Sequence, residues 1–218
     1  MSLFITFEGP DGSGKTTQIE LLAEYLRTLG HDVLITREPG GTSIGDQIRT
    51  VLHDIKNAEM AHKTEFLLYS ASRAQLVQQL LRPHLESGGT ILCDRFADSS
   101  MAYQGYGREL DLTAIRSITQ FATGGLVPQL TVYLDLPARV GIERKQSAHA
   151  AKAGEWNRLD MQTLEFHRRV RQGYLKMAEA DPGRWLVVDA TQSITDTQAS
   201  IRLRLKLLLS KEGKVTAK

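Results

Sequence analysis

Five short runs of this chain are almost continuously apolar: residues 3–7, 33–36, 90–94, 130–136 and 185–189. They do not alternate apolar with polar positions, as a strand with one wet face would. Near-continuous runs of this length belong to parallel strands covered on both faces. Between the runs, apolar residues recur at helical spacing. Ile19, Leu22, Ala23, Leu26 and Leu29 fall at i, i+3, i+4, i+7 and i+10, one face of a helix. Gly30 follows as the expected C-cap. Ile201, Leu205, Leu208 and Leu209 repeat the pattern near the C-terminus. Strand and helix alternate throughout, which predicts an α/β fold: a doubly wound, five-stranded parallel sheet flanked by helices.

The same reading predicts one domain over residues 1–210, with no repeat. Residues 147–156 are small and polar, with the run Ala-His-Ala-Ala-Lys-Ala-Gly, and are expected to form a mobile loop. Taken as a lid, it covers about residues 145–158. The polar tail 211–218 is expected to be flexible.

Composition narrows the class. The 218 residues are 41% hydrophobic, enough for a sizeable core. A net charge of +2 suits small anionic ligands and lacks the clustered basic face of a nucleic-acid binder. No apolar run approaches the ~18 residues of a membrane span. The N-terminus runs straight into a strand without a charged leader. Cys93 is the only cysteine, so no internal disulfide forms, which points to a reducing, cytoplasmic location. The six histidines show no zinc spacing. Cys93 itself reads as a buried strand residue without chemistry.

Against that background one motif stands out. Gly9-Pro10-Asp11-Gly12-Ser13-Gly14-Lys15-Thr16 fits G-x-x-x-x-G-K-[ST], between the first strand and the first helix. Glycines let the backbone curl until several N–H groups point at one anion. Lys15 then reaches the β- and γ-phosphates, and the Thr16 hydroxyl is placed to bind Mg²⁺. The helix adds the positive end of its dipole. The chain is therefore expected to bind a nucleoside triphosphate in a P-loop NTP hydrolase fold.

What happens to the terminal phosphate depends on the class. A GTPase needs N-K-x-D after a strand, and Asn157-Arg158-Leu159-Asp160 only approaches it. It follows the polar loop, and reads as a helix start with Asn157 as cap. An ATPase engine usually ends a strand in Asp-Glu, whereas Arg95, Leu136 and Ala190 follow the strand-end aspartates here. Asp94-Arg95 instead places an arginine at the carboxyl end of a central strand, where open α/β sheets bind ligands. It can clamp a transferring phosphoryl group or form a structural ion pair. A lid favours a kinase, because transfer to an acceptor other than water requires water exclusion.

At this point the chain resembles the thymidylate kinases, bacterial type, among the P-loop nucleoside monophosphate kinases. The residues that carry the likeness are the P-loop with its additional Thr17, Arg37-Glu38-Pro39-Gly40-Gly41-Thr42, and Asp94-Arg95-Phe96 leading into Ser99-Ser100-Met101-Ala102-Tyr103-Gln104. Leu67-Leu68-Tyr69-Ser70-Ala71-Ser72-Arg73 adds a fourth. The likeness runs from about residue 3 to about residue 195.

The resemblance implies transfer of phosphate from ATP to dTMP, with Mg²⁺, on the route to dTTP. It implies that Gly9, Gly12, Ser13, Gly14, Lys15, Thr16 and Thr17 hold the donor phosphates and that Arg144 stacks on the donor adenine. Tyr69 would stack on thymine, where the family usually has Phe, and Arg73 would hydrogen-bond the thymine O4. Ser100 and Gln104 would add polar contacts to the base. Tyr103 would lie under the sugar and crowd a 2′-hydroxyl. Asp11 would accept from the acceptor 3′-hydroxyl, although an aspartate before glycine also simply forms turns. Arg95, then Arg37 and Arg49, would clamp the acceptor phosphate; Arg49 has an exposed helix position as its plainer explanation.

Eukaryotic-type members carry an arginine where this chain has Gly12; the resemblance to the bacterial type implies that the lid supplies the cation instead. Arg158 is the choice for stabilising the transferred phosphoryl group, with Lys152 as the other candidate. The predicted catalytic set is then Lys15, Arg95, Arg158 and Asp11. ATP and dTMP are the expected partners, and the family implies a homodimer with helices packed across the interface, for which the apolar face around residues 66–81 is available. A kinase for another nucleoside or monophosphate is the first rival, and a nucleotide switch without transfer activity the second.

Overall fold

The computed structural model describes residues 2–151 and 156–213. Its centre is a five-stranded, all-parallel sheet of β1 (Leu3–Glu8), β2 (Val33–Arg37), β3 (Thr90–Asp94), β4 (Leu130–Asp135) and β5 (Trp185–Asp189), in the order β2-β3-β1-β4-β5. The five apolar runs are thus the five strands. The two that lie at the edges, β2 and β5, leave Ile35 and Val187 exposed, while β1 is buried along its whole length.

Burial on both faces is visible residue by residue. Leu3, Ile5 and Phe7 pack with Ile19, Leu22, Ala23 and Leu26 of α1 (Lys15–Thr28), and with Ile201 and Leu205 of α9 (Ile194–Gly213). Phe4 points the other way, toward Leu76, Val77, Leu81, Ile91 and Phe96. Ten or more such side chains, each worth roughly 1.5–3 kcal/mol, fix the sheet and the strand ends that carry the site. Leu29, read as part of the buried face, is instead exposed and closes α1. Gly30 follows it at φ 85°, with its N–H bonded to Arg27 O.

The remaining helices are α2 (Ser43–His53), α3 (His62–Leu76), α4 (Arg82–Glu86), α5 (Ala97–Ser100), α6 (Leu112–Thr123), α7 (Ala138–Ala150) and α8 (Leu164–Ala180). Two wider, π-type turns interrupt the pattern: Val77–Leu81 joins α3 to α4, and Met101–Gly107 continues α5. The second carries Tyr103 and Gln104, in keeping with the frequency of such turns at functional sites.

Three expectations change. The segment assigned to the lid is not all loop, since α7 continues through Ala150 and holds Arg144 and Lys145 on regular helix. Small alanines favour helix as readily as loop. Lys152 lies outside the described residues. Asn157 does not start a helix: its Oδ1 accepts the Leu159 N–H at 2.8 Å and its own N–H goes to Asp160, making a turn. The helix begins at Leu164, capped by the Thr163 hydroxyl, which accepts the Phe166 N–H. Finally, α9 runs to Gly213, past the expected end of the domain at residue 210, and residues 214–218 lie outside the described ones.

Candidate active site

The carboxyl ends of β1, β3 and β4 converge on an open cleft with about 1310 Å³ of empty space. This is the crevice that a parallel sheet offers where its chain reverses direction.

One wall is the curled turn from Gly9 to Gly14. Gly14 stands at φ 90°, and a Cβ there would meet nothing within 4 Å, so the space above it is open to a ligand. No side chain caps α1, and its first turn has no acidic residue. The N–H groups at its start are therefore available to an anion, with the helix dipole behind them. Gly9 is required for a different reason: a Cβ would come within 2.6 Å of Leu134 O. Lys15 is buried and its Nζ donates to Gly9 O and Pro10 O, both at 3.1 Å. Burial and the Arg95 charge lower its pKa.

Opposite lies Arg95, held in the left-handed region at φ 69°. Four hydrogen bonds around Arg95 and Glu8 keep it there. Its N–H bonds to Phe7 O at 2.9 Å, the Phe96 N–H goes to the buried Glu8 carboxylate at 2.9 Å, and Glu8 also accepts from Ser99 and Tyr174, each at 2.6 Å. Strain of this kind costs about 1–3 kcal/mol and persists only where neighbours over-determine it. The Arg95 guanidinium donates to Asp11 Oδ1 at 2.7 Å, with its carbon 5.3 Å from the centre of the Tyr103 ring, and its other terminal nitrogen is buried without a hydrogen-bond partner.

Asp11 gathers further charge. Lys145 Nζ donates to its Oδ2 at 2.7 Å, and Lys15 stands 3.7 Å from its Oδ1. Burial opposes its ionisation, but Arg95, Lys15 and Lys145 outweigh that and hold the carboxyl well below the usual carboxylate range. At the end of β3, Asp94 lies 4.0 Å from Lys15, and its Oδ1 is buried without a hydrogen bond.

The rest of the cleft is polar and aromatic. Tyr69 and Tyr103 line it, together with Arg37, Arg49, Ser100 and Gln104. The Tyr69 hydroxyl makes no hydrogen bond to another described residue, and burial raises its pKa. Arg73 stands behind this wall at 1% exposure. It donates to Glu38 Oε2 at 2.8 Å, to Ser100 Oγ at 3.0 Å and to Phe96 O at 3.2 Å, which leaves one terminal nitrogen buried and unpartnered. Burial pushes the Glu38 carboxyl up to about 7 even beside that arginine. Gln104 donates to Glu65 Oε1 at 2.9 Å. Arg37 is more than half exposed and 3.6 Å from Asp46, while Arg49 donates to Pro39 O at 3.2 Å. Arg144 lies on the outer side of the turn, donating to Gly12 O at 3.2 Å and to Ala190 O at 3.4 Å.

Arg158 is the exception. Its guanidinium is buried 2.5 Å from Glu65 Oε2 and donates to Leu52 O, so it does not face the curled turn as expected of the lid cation. The physical reason is Glu65. This carboxylate is fully buried and cannot stay charged without cations; Arg108, Gln104 and Arg158 surround it, and although burial raises its pKa they lower it overall.

The motifs quoted above contain Glu38 and Asp94 but gave neither a role. Glu65 precedes Tyr69 and Arg73 by four and eight positions, one stripe of α3, a signal that helix spacing alone contains. For Lys145, Asp160 and Glu8 no such signal exists.

A thymidylate kinase family model matches residues 7–201. A thymidylate kinase of Roseiflexus sp. strain RS-1 is 55% identical over 201 residues, covering 89% of each chain. One of Deinococcus radiodurans is 55% identical over 199 residues, covering 91% of this chain and 94% of its own. The crystal structure of thymidylate kinase from Ehrlichia chaffeensis superposes with a TM-score of 0.75 at 33% identity, covering 94% of this chain and 98% of that one.

Proposed function

The chain belongs to the thymidylate kinase family and phosphorylates dTMP to dTDP with ATP, and we propose that it does so by direct in-line transfer across the cleft between the Gly9–Gly14 turn and Arg95. In this step the bond from the γ-phosphorus to the oxygen bridging it to the β-phosphate breaks. A new bond forms from that phosphorus to an oxygen of the dTMP phosphate. The attacking oxygen is already anionic, so no strong general base is needed. Catalysis is then positioning and neutralisation of charge.

The observation that carries this reading is the facing pair of phosphate sites: an uncapped helix start with open space above Gly14, and Arg95 held 2.7 Å from Asp11 across from it. In this proposal Gly9, Gly12, Ser13, Gly14, Lys15, Thr16 and Thr17 hold the donor phosphates and Arg144 flanks the adenine. Arg95, Arg37 and Arg49 clamp the acceptor phosphate. Tyr69 stacks on thymine, Tyr103 lies under the sugar, Asp11 meets the 3′-hydroxyl, and Ser100 and Gln104 support the base. The unpartnered Arg73 nitrogen answers the thymine carbonyl O4. Cytosine presents an amine there, leaving a buried donor unsatisfied, which is how a polar site rejects a wrong base.

Mg²⁺ fits the same corner. The Asp94 Oδ1 atom is buried and unpartnered beside Lys15, and Thr16 opens α1, so these two would hold the ion with phosphates and waters. Bound there, Mg²⁺ would neutralise charge developing between the β- and γ-phosphates.

A homodimer is part of the proposal. Leu67 on α3 and Phe121 on α6 are exposed, Phe121 by 90%, on helices that pack against each other. A cytoplasmic site of action agrees with the single, buried, unpaired Cys93 and with the absence of any membrane-length apolar helix among the described residues.

The test is an ADP-release assay of the full chain across dTMP, dUMP, dCMP, dAMP and thymidine. Turnover concentrated on dTMP is expected. Preferential phosphorylation of thymidine or dCMP would overturn the reading, and hydrolysis without a phosphorylated acceptor would favour a nucleotide switch.

A further inference from the structure

The phosphate turn from Gly9 to Gly14 carries no arginine of its own. The expected substitute, Arg158, is occupied by Glu65. A different cation stands at the turn. Lys145 lies on α7, one residue beyond Arg144, and lines the cleft with 14% of its side chain exposed. Its ammonium group is 2.7 Å from Asp11 Oδ2, and Asp160 Oδ2 stands 3.5 Å away on its other side.

Asp11 holds Arg95 on one oxygen and Lys145 on the other, each at 2.7 Å, with Lys15 at 3.7 Å. Three cations from three separate elements therefore converge within the span of one carboxylate. A phosphoryl face has a similar size and the same sign of charge. Groups that converge on this carboxylate can therefore converge on a phosphoryl group between donor and acceptor with small side-chain adjustments. Asp160 keeps the ammonium aimed at the cleft, and the helical backbone of α7 fixes the root of the side chain.

We propose that Lys145 is a catalytic residue: the lid-side cation that contacts the transferred phosphoryl group, completing a ring with Lys15 and Arg95. This rests on the site reading above and adds a residue to it. Arg158 becomes a positioning residue, holding the Asn157–Asp160 turn through Glu65. Because Asp160 lies in that turn, Arg158 acts on Lys145 only indirectly.

The test uses the full chain as wild type, Lys145→Met, Lys145→Arg and Arg158→Met. Three readouts are taken: kcat, the dTMP KM, and the affinity for ADP with dTMP in the presence and absence of aluminium fluoride, which mimics the transferring group. Lys145→Met is expected to lower kcat by about 10²-fold or more, with the dTMP KM changed less than about threefold. Affinity gained from aluminium fluoride should fall by a similar factor, while ADP affinity without fluoride holds. Lys145→Arg keeps the charge and should recover most of the loss, which also guards against a folding defect. A Lys145→Met enzyme within about threefold of wild-type kcat would overturn the proposal. So would a kcat loss with undiminished fluoride-dependent affinity, or a larger loss in Arg158→Met than in Lys145→Met. If wild type itself fails to phosphorylate dTMP, the reading of the reaction fails instead, whatever the variants do.

Discussion

Arg95 lines the cleft and Arg73 is buried behind its wall, and the two are held in opposite ways. Arg73 is 1% exposed and locked by Glu38, Ser100 and the Phe96 carbonyl, leaving one nitrogen unpartnered. Its partners belong to the resting structure and would persist when a base arrives. Arg95, in contrast, pairs through Asp11 with a group that Lys145 and Lys15 also approach. Lys15 in turn rests on carbonyls of its own turn. Those contacts are exchangeable, because an incoming phosphate offers the same cations a stronger anion. A base pocket needs a fixed pattern of donors for recognition. A transfer site needs cations that can repartner as charge moves. In the proposed site the two halves divide along that line.

The sharpest way to break the contrast is Arg95→Ala. It should lower kcat by ~10²-fold or more and leave ATP affinity within a few-fold, measured by steady-state kinetics and nucleotide titration. A near-normal kcat would remove Arg95 from the proposed transfer site.

Arg73→Met attacks the other half. It leaves Glu38 buried without its cation and removes the proposed O4 donor. The preference for dTMP over dCMP, as the ratio of kcat/KM values, should shrink by roughly 10²-fold, with some loss of thermal stability. An unchanged ratio would mean that base selection lies elsewhere.

Tyr69→Ala should raise the dTMP KM by about tenfold with a smaller change in kcat, since the lost stacking is worth about 1–3 kcal/mol. Tyr69→Phe should stay near wild type, because the hydroxyl has no partner among the described residues. An unaffected KM in the alanine variant would move thymine away from α3.

The smallest effect concerns pH. Glu38 has a folded value of about 7 against an ordinary 4.5, so the folded chain binds more protons than the unfolded chain between those values. Its contribution to stability is therefore fully present below about 4.5 and is lost as pH rises through about 7. Urea unfolding of wild type and Glu38→Gln at several pH values checks the sign. The difference, wild type minus variant, should grow in favour of wild type as pH falls from about 8 to about 5. A difference that shrinks in that direction would mean that Arg73 keeps Glu38 ionised throughout.

The features legible in the order of residues are local and periodic. Five apolar runs gave the five strands, because parallel strands buried on both faces must be apolar at consecutive positions. The glycines and Lys15 gave the phosphate turn, because that backbone tolerates few other residues. Tyr69 with Arg73, four apart on α3, was legible for the same periodic reason, and Glu65 was legible on the same stripe. Which charges meet depends on how the helices pack. Arg158 goes to Glu65 and Lys145 to Asp11, over separations of 93 and 134 residues. Burial makes an unpaired ion costly, so a charge settles on whichever opposite charge the packed helices bring within reach. That reach is set by the three-dimensional path of the chain, and no spacing along the sequence encodes it.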